Sequence, residues 1–121
     1  MALDLQEMRA YQEKLQARYA GWWEAIDPEH GKNKMLWMMA EIGEAIQIMK
    51  RHSTGELMAS GEARHALVEE LADTMMFFQD VLLCYDITPQ EFEAVYRAKH
   101  ERNMRRWKKP EEAGNCIQQG E

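Results

Sequence analysis

The stretch "LADTMMFFQDVLLCY", residues 71–85, decides the fold class, because it is apolar on nearly every side when drawn as a helix. A helix of this kind lies at the centre of a bundle, where its neighbours cover it. No segment of the chain alternates convincingly between apolar and polar residues with period two, which a half-buried strand would require. The sequence therefore predicts an all-α protein, a bundle of four to five helices without a sheet.

The other helices are predicted from apolar spacing and from helix-breaking residues. Apolar residues recur at steps of three or four in the first segment, which Pro28 and Gly31 end. Thr88 and Pro89 form a typical N-cap and first helical position. The predicted helices span about residues 3–26, 33–51, 61–85 and 89–107, with a loop over 52–60.

Length and charge restrict the class of protein. A chain of 121 residues fits one domain, which we place at 1–109, followed by a flexible C-terminal tail at 110–121 that lacks periodicity. The net charge of −6 argues against nucleic acid or an anionic membrane as the partner. The longest apolar run is too short to cross a bilayer, and no secretion signal is visible. We therefore expect a cytoplasmic protein.

Two pairs of acids fall among apolar positions rather than on a solvated face. Placed at about 100° per residue, Glu41 lies inside an apolar arc of its helix, and Glu44 lies at the edge of that arc. Glu70 and Asp73 are arranged in the same way on the next long helix. An unpaired carboxylate in such a place loses its solvation, at a cost of several kcal/mol, so a compensating group is expected.

A divalent cation would compensate these acids. Residues three apart on a helix are neighbours, so "EIGE" (41–44) and "ELAD" (70–73) each present two carboxylates from one face. If the two helices pack antiparallel, all four carboxylates converge, and their repulsion favours a bound cation. Ligation by oxygen alone suits Mg²⁺, or Mn²⁺, rather than Zn²⁺. The alternative from spacing is that these acids are solvated or paired with Lys or Arg.

The last predicted helix changes character along one stripe. The stripe begins with apolar residues and continues at the same spacing as Lys99, Asn103 and Arg106. A phosphate site requires basic and amide groups of this kind. The alternative is that basic residues near a helix C-terminus interact with the helix dipole.

The two acidic motifs, separated by 25 residues, resemble the ExxE and ExxD signature of the all-α nucleoside triphosphate pyrophosphohydrolases, the MazG-like superfamily. "KHERNMRRW" is similar to the K-xxx-N-xx-R pattern of that superfamily, with Lys99, Asn103 and Arg106 in place. "GKNKMLWMMAEIGE" resembles its lead-in, in which Asn33 precedes the first motif glutamate by two turns.

The resemblance implies a Mg²⁺-dependent enzyme that hydrolyses (d)NTP to (d)NMP and pyrophosphate. Glu41, Glu44, Glu70 and Asp73 would bind the metal, and one of them would orient or deprotonate the attacking water. The same resemblance implies a homodimer or homotetramer, an assembly that two nearly all-apolar helix faces also favour. The residues expected to bind the nucleotide are Asn33, Lys99, Asn103 and Arg106, with Trp22 and Trp37 as candidates to stack on the base.

Other functions stay open at this point. A di-iron carboxylate bundle needs Glu-x-x-His on two helices, and only Glu62 with His65 has this spacing. A non-catalytic helical interaction module would use the ten methionines as an adaptable surface, and a phosphoribosyl-ATP pyrophosphohydrolase-like biosynthetic enzyme is a further alternative. Base and sugar preference, and the choice between dimer and tetramer, do not follow from the sequence.

Overall fold

A computed structural model describes residues 1–107 of the protein, and this part of the chain is helical without a β-strand. The all-α prediction is confirmed, whereas the predicted tail at 110–121 lies outside the described residues. No helix in the range 1–107 is both long enough and apolar enough to cross a membrane. The helices are α1 (Leu5–Arg18), a 3₁₀ turn (Pro28–His30), α2 (Gly31–Arg51), α3 (Thr54–Met58), α4 (Glu62–Cys84) and α5 (Pro89–Arg106).

These helices form two compact units. The first, Met1–Ile87, contains α1 to α4, and the second begins at Thr88 and contains α5. In the first unit α4 contacts α1, α2, α3 and the 3₁₀ turn. Helix α4 therefore contacts every other helical element of its unit, although Leu71, Met75 and Met76 of its most apolar stretch are exposed in the single chain.

Helices α2 and α4 pack antiparallel, as the convergence of the acids requires. Near the start of α2, Gly31 lies against Tyr85, beyond the end of α4. Further along α2, Trp37 stacks on Phe77 with ring centroids 6.5 Å apart, and Glu41 then meets the acids of the "ELAD" motif, nearer the start of α4. Residue numbers therefore rise along α2 in the direction in which they fall along α4, which is antiparallel packing.

Helix α1 is shorter than predicted. It begins with an N-cap bond in which the Glu7 backbone N–H donates to Asp4 Oδ1 at 2.9 Å, but it ends at Arg18 rather than near residue 26. Tyr19 has a non-helical conformation, and Gly21 has a φ of 87°, which a helix does not permit. The apolar spacing that continues past Arg18 therefore belongs to a turn and not to a helix.

The predicted loop at 52–60 contains a short helix, α3. Ser53 accepts a hydrogen bond from the Glu56 backbone N–H, and the Glu56 side chain accepts one from the Ser53 backbone N–H. This reciprocal pair is a capping box. The signal is present in the sequence as Ser-x-x-Glu, among serines and glycines that otherwise indicate a loop.

Polar groups of helix α1 bond to α4 and to the residues just beyond it. Asp80 Oδ1 accepts hydrogen bonds from Gln12 Nε2 at 2.9 Å and from Gln16 Nε2 at 3.0 Å. The Arg9 guanidinium donates to the backbone carbonyl of Ile87, just beyond α4. Gln12, Asp80 and Arg9 are buried, so these bonds satisfy groups that would otherwise be desolvated without a partner.

A stripe of apolar side chains on α2 is exposed in the single chain. Its five residues are spaced four, three, four and three apart, the pattern of a helix seam that packs against another helix, and at about 100° per residue they lie away from the side of α2 that faces α4. We call them the α2 stripe: Met35, Met39, Ile42, Ile46 and Met49. Val68, Leu71 and Met75 are likewise exposed on the side of α4 opposite its acids.

The start of α5 is as predicted. Thr88 accepts a hydrogen bond from the Glu91 backbone N–H at 3.0 Å, and Pro89 is the first helical residue. The helix ends at Arg106, within one residue of the expected end.

Candidate metal centre and adjoining cavity

Three of the four predicted acids converge between α2 and α4. One carboxylate oxygen from each of Glu41, Glu70 and Asp73 lies within 4.8 Å of the other two. Glu41 comes from α2, while Glu70 and Asp73 stand one turn apart on α4 and face it. Glu41 and Glu70 are half-buried and Asp73 is exposed, so the cluster opens to solvent on the Asp73 side.

The electrostatics of this cluster are unfavourable for three negative charges. Burial, a hydrogen bond with Glu70, and then the charges of Glu70, Asp73 and Glu44 raise the pKa of Glu41 to about 7. Glu41 therefore holds a proton up to near neutral pH, since two adjacent carboxylates cannot both ionise cheaply.

No protein cation relieves this repulsion within residues 1–107. None of the three acids forms an ion pair with Lys, Arg or His in that range, and Glu70 Oε1 is buried without a hydrogen-bond donor there. The alternative expectation, that Lys or Arg pairs with these acids, is thus not met in this part of the chain. An unpartnered buried carboxylate oxygen beside two others fits ligation of a hard divalent cation.

The fourth acid, Glu44, stands apart from the other three. It is exposed and does not belong to the group of converging oxygens, although its charge contributes to the raised pKa of Glu41. Gly43, between the two glutamates, has open space where a Cβ would be, with no atom of the chain within 4 Å.

A cavity of about 470 Å³ adjoins the acidic cluster in the same unit. Asp73 lines it, and so belongs both to the cluster and to the cavity. Trp37 and Phe77 supply one aromatic wall, stacked on each other, and Trp23 also lines the cavity, stacked on Tyr19 with ring centroids 4.4 Å apart. We call this space the aromatic cavity.

The far end of the aromatic cavity is polar. Gln12, Gln16 and Asp80 line it with the hydrogen-bond network described above. Lys34 and Glu24 also line it, and Lys34 Nζ lies 3.5 Å from the Glu24 backbone carbonyl. Burial raises the pKa of Asp80, while the two glutamines and the charge of Lys34 act in the opposite direction.

Of the two tryptophans predicted to stack on the base, one lines the aromatic cavity and the other does not, and Asn33 lies beside the cavity wall. Trp37 lines the aromatic cavity, whereas Trp22 lies on the surface with 86% of its area exposed, and its neighbour Trp23 lines the cavity instead. Asn33 is half-buried, and its Nδ2 donates to Glu24 Oε2 at 3.0 Å. Asn33 thus orients a residue of the cavity wall.

Several residues of the aromatic cavity were not candidates from the sequence. Gln12 and Gln16 are four apart on α1, but their partner Asp80 lies more than 60 positions along the chain, so no local pattern identifies the network. Asp80 did share a helix side with Asp73, at seven residues' spacing, and this was the one available signal.

The predicted phosphate-binding residues lie in the second unit. Lys99 and Arg106, with Arg102 and Arg105, line an open groove of about 550 Å³ on α5. Asn103 is half-buried, and its Oδ1 has no hydrogen-bond partner among residues 1–107. Arg106 lies over the ring of Trp107, 5.1 Å from its centroid.

The residues of the di-iron alternative do not converge with the acids. His65 is 74% exposed and pairs with Glu69 at 3.5 Å, and Glu62 is exposed. Neither belongs to the group of converging oxygens in the described part of the chain.

In comparisons with known proteins, no protein-family model matches the chain, and no curated protein or solved structure matches it significantly. The MazG-like resemblance therefore rests on its motif residues alone, and the function is inferred from those residues and the geometry around them.

Proposed function

We propose that this protein is a Mg²⁺-dependent nucleoside triphosphate pyrophosphohydrolase of the MazG-like type, which hydrolyses (d)NTP to (d)NMP and pyrophosphate. The observation that supports this most is the convergence of Glu41, Glu70 and Asp73 within 4.8 Å, without a protein cation beside them in residues 1–107. Three oxygens from two helices can hold Mg²⁺ while leaving positions for water and phosphate. Mn²⁺ has the same ligand preference and is the alternative cation.

In the proposed reaction, water attacks phosphorus and the anhydride between the α- and β-phosphates breaks, so that pyrophosphate leaves. A cation bound at this site would supply charge for the triphosphate and would lower the pKa of a bound water. Glu41 is the candidate to orient or deprotonate that water, because it faces Glu70 and Asp73 from the opposite helix. Glu70 and Asp73 would hold the cation together with Glu41, and Glu44 would add negative charge from the next turn of α2.

For α5 we propose a phosphate-binding role. Lys99 and Arg106 offer charge-assisted donors to phosphate oxygens, and they line one groove together with two further arginines. Asn103 would donate to a phosphate oxygen through its Nδ2 group. Four cationic side chains on one groove exceed what the helix dipole requires at a C-terminus.

We also propose that the chain assembles as a homodimer or homotetramer through the α2 stripe. Five exposed apolar side chains at helix-seam spacing are unfavourable in a monomer, and a second copy would bury them. The same stripe supports the rival function, a non-catalytic interaction module, although that function gives no reason for three converging acids.

The test is pyrophosphate release from a panel of NTPs and dNTPs with Mg²⁺. We expect Glu41→Gln and Asp73→Asn to lower kcat/KM by at least about a hundredfold, since each removes a ligand or a base. Glu69→Gln is the matched control, because Glu69 is adjacent to Glu70 on α4 but is 68% exposed. The activity of this variant should stay within about twofold of wild type. The proposal fails if the wild type releases pyrophosphate from no nucleotide, or if both cluster variants keep full activity.

A further inference from the structure

The aromatic cavity lies where the non-phosphate part of a substrate would extend. Asp73 is shared by the cavity and the acidic cluster, so a ligand whose phosphates bind a cation on the cluster reaches the cavity directly. The volume of about 470 Å³ falls in the range of small-molecule sites, about 300–1,000 Å³. That the ligand is a nucleotide rests on the proposed function, whereas the chemistry of the cavity is independent of it.

The walls of the cavity fit a flat aromatic ring. Trp37 is 56% exposed, yet it is held in place by its stacking on Phe77. Trp23 is fixed in the same way by Tyr19. Pre-positioned aromatic rings bind a planar base through stacking without losing much side-chain entropy.

The polar end of the cavity is rich in hydrogen-bond acceptors. Gln12 and Gln16 each donate one of their two amide N–H groups to Asp80 Oδ1, so each glutamine keeps one N–H and its carbonyl oxygen, while Asp80 keeps Oδ2, which can only accept. The cationic residue at this end is Lys34, which is 5% exposed and lies beside the Glu24 carbonyl. An ionised carboxylate accepts and never donates, so a ligand must bring its own N–H groups here.

We propose that the aromatic cavity binds a nucleobase that has an exocyclic amino group, with Asp80 as the acceptor that selects it. Cytosine, adenine and guanine have such a group, and a ring carbonyl of cytosine or guanine can accept from Lys34. Uracil and thymine present a carbonyl oxygen where cytosine has its amino group. Placed against Asp80, that oxygen would face another acceptor, which leaves both groups unpaired in a desolvated site.

The direct test is a comparison of matched nucleoside monophosphates, which contain no anhydride and are not consumed. Binding of dCMP and dUMP, and of dGMP and dIMP, is measured by calorimetry in the presence of Mg²⁺. Each pair differs by one amino group. We expect the amino-bearing member to bind at least about tenfold more tightly, because a site built around a hydrogen bond rejects the analogue that lacks it. Equal binding, a preference for dUMP and dIMP, or no binding of any of the four at millimolar concentration overturns the proposal.

Two variants separate base selection from general binding. Asp80→Asn keeps the shape of the side chain but adds a donor, so the dCMP to dUMP ratio should fall towards about one. Trp37→Leu should weaken both ligands by a similar factor and leave the ratio unchanged, because stacking does not depend on the amino group. If Asp80→Asn folds and keeps the wild-type ratio, Asp80 is not the selecting residue.

The proposed function and this inference fail separately. A wild type that releases pyrophosphate equally well from dCTP and dUTP, and binds dCMP and dUMP alike, retains the enzymatic function but not the base selection. A wild type that releases none, yet binds dCMP more tightly than dUMP, retains the cavity as a nucleobase site and loses the hydrolase function.

Discussion

Replacing Glu41 by Gln tests the acidic cluster through stability, without any assumption about substrate. Gln has the shape of the protonated glutamate and cannot ionise. The pKa of Glu41 rises from 4.5 to about 7 in the folded protein, first through burial and then through Glu70, Asp73 and Glu44. Between these two pH values the folded state holds a proton that the unfolded state has released. The free energy of unfolding therefore falls as pH rises through this window.

The magnitude follows from the size of the rise. At about 1.4 kcal/mol per pH unit, the change from 4.5 to about 7 corresponds to at most about 3 kcal/mol. Glu41 is only half-buried and its neighbour Asp73 is exposed, so solvent screening lowers the expected effect to about 1–2 kcal/mol. Without divalent cations, Glu41→Gln should be more stable than wild type by that amount at about pH 8, and equally stable at about pH 4.5.

The assay is thermal unfolding at fixed protein concentration from about pH 4.5 to about pH 8, with EDTA or with Mg²⁺. We expect a difference in Tm of about 4–8 °C between the variant and wild type at the alkaline end in EDTA. Mg²⁺ at ten times its Kd should stabilise wild type by about 1.4 kcal/mol and the variant much less. Glu44→Gln is the matched control, because Glu44 is exposed and should leave most of the pH dependence intact.

Two outcomes would refute this reasoning. If wild type and Glu41→Gln have parallel stability curves in EDTA across the window, Glu41 does not hold the extra proton. If Mg²⁺ stabilises both proteins equally, the cation binds elsewhere on the chain.

Three further predictions concern other parts of the molecule. Gly31→Ala should lower the free energy of unfolding, measured in urea, by about 1–3 kcal/mol, because the added Cβ would overlap the Tyr85 ring. Gly43→Ala is the control: nothing lies within 4 Å of its added Cβ, so the change should be neutral or stabilising by up to about 1 kcal/mol. Ile46→Glu should lower the mass measured by sedimentation, since it places a charge in the middle of the α2 stripe; an unchanged mass would exclude that interface. Lys99→Ala should raise KM for the triphosphate by at least about tenfold, through loss of a charge-assisted bond, and an unaltered KM in steady-state assays would exclude a phosphate-binding role for Lys99.

The long helices could be predicted because their signals are local. The apolar spacing in 71–85 depends on residues within one or two turns, and so does the helix start at Thr88 and Pro89. The bounds of α4 and α5 are accordingly close to the predicted ones. The end of α1 could not be placed from apolar spacing, because the turn after Arg18 also uses apolar residues. Gly21, with its φ of 87°, was the better signal for that end, and a glycine inside an apolar period deserves more weight than the period itself.

The acidic cluster was predictable in part for a related reason. Spacing of three on a helix places Glu70 beside Asp73 without any tertiary information, and the antiparallel packing of α2 then brings Glu41 to them. Glu44 was expected to join because it has the same spacing from Glu41. Because α2 runs antiparallel to α4, however, the residue one turn after Glu41 lies farther from Glu70 and Asp73. Glu44 is therefore exposed.

Helix α2 has two faces that lower the stability of an isolated chain, and these faces point in different directions. At about 100° per residue, Glu41 lies roughly 120° from the centre of the α2 stripe. The carboxylate face lacks a counter-charge in residues 1–107, and the stripe exposes apolar area, with 47% of Ile46 accessible. Because the two faces share no side chain, a cation on one and a second copy on the other would stabilise the protein independently. The stabilisation by Mg²⁺ should then be the same at low and high protein concentration, while the stability without metal rises with concentration. A dependence of the Mg²⁺ effect on protein concentration would show instead that the cation and the second copy meet at one site.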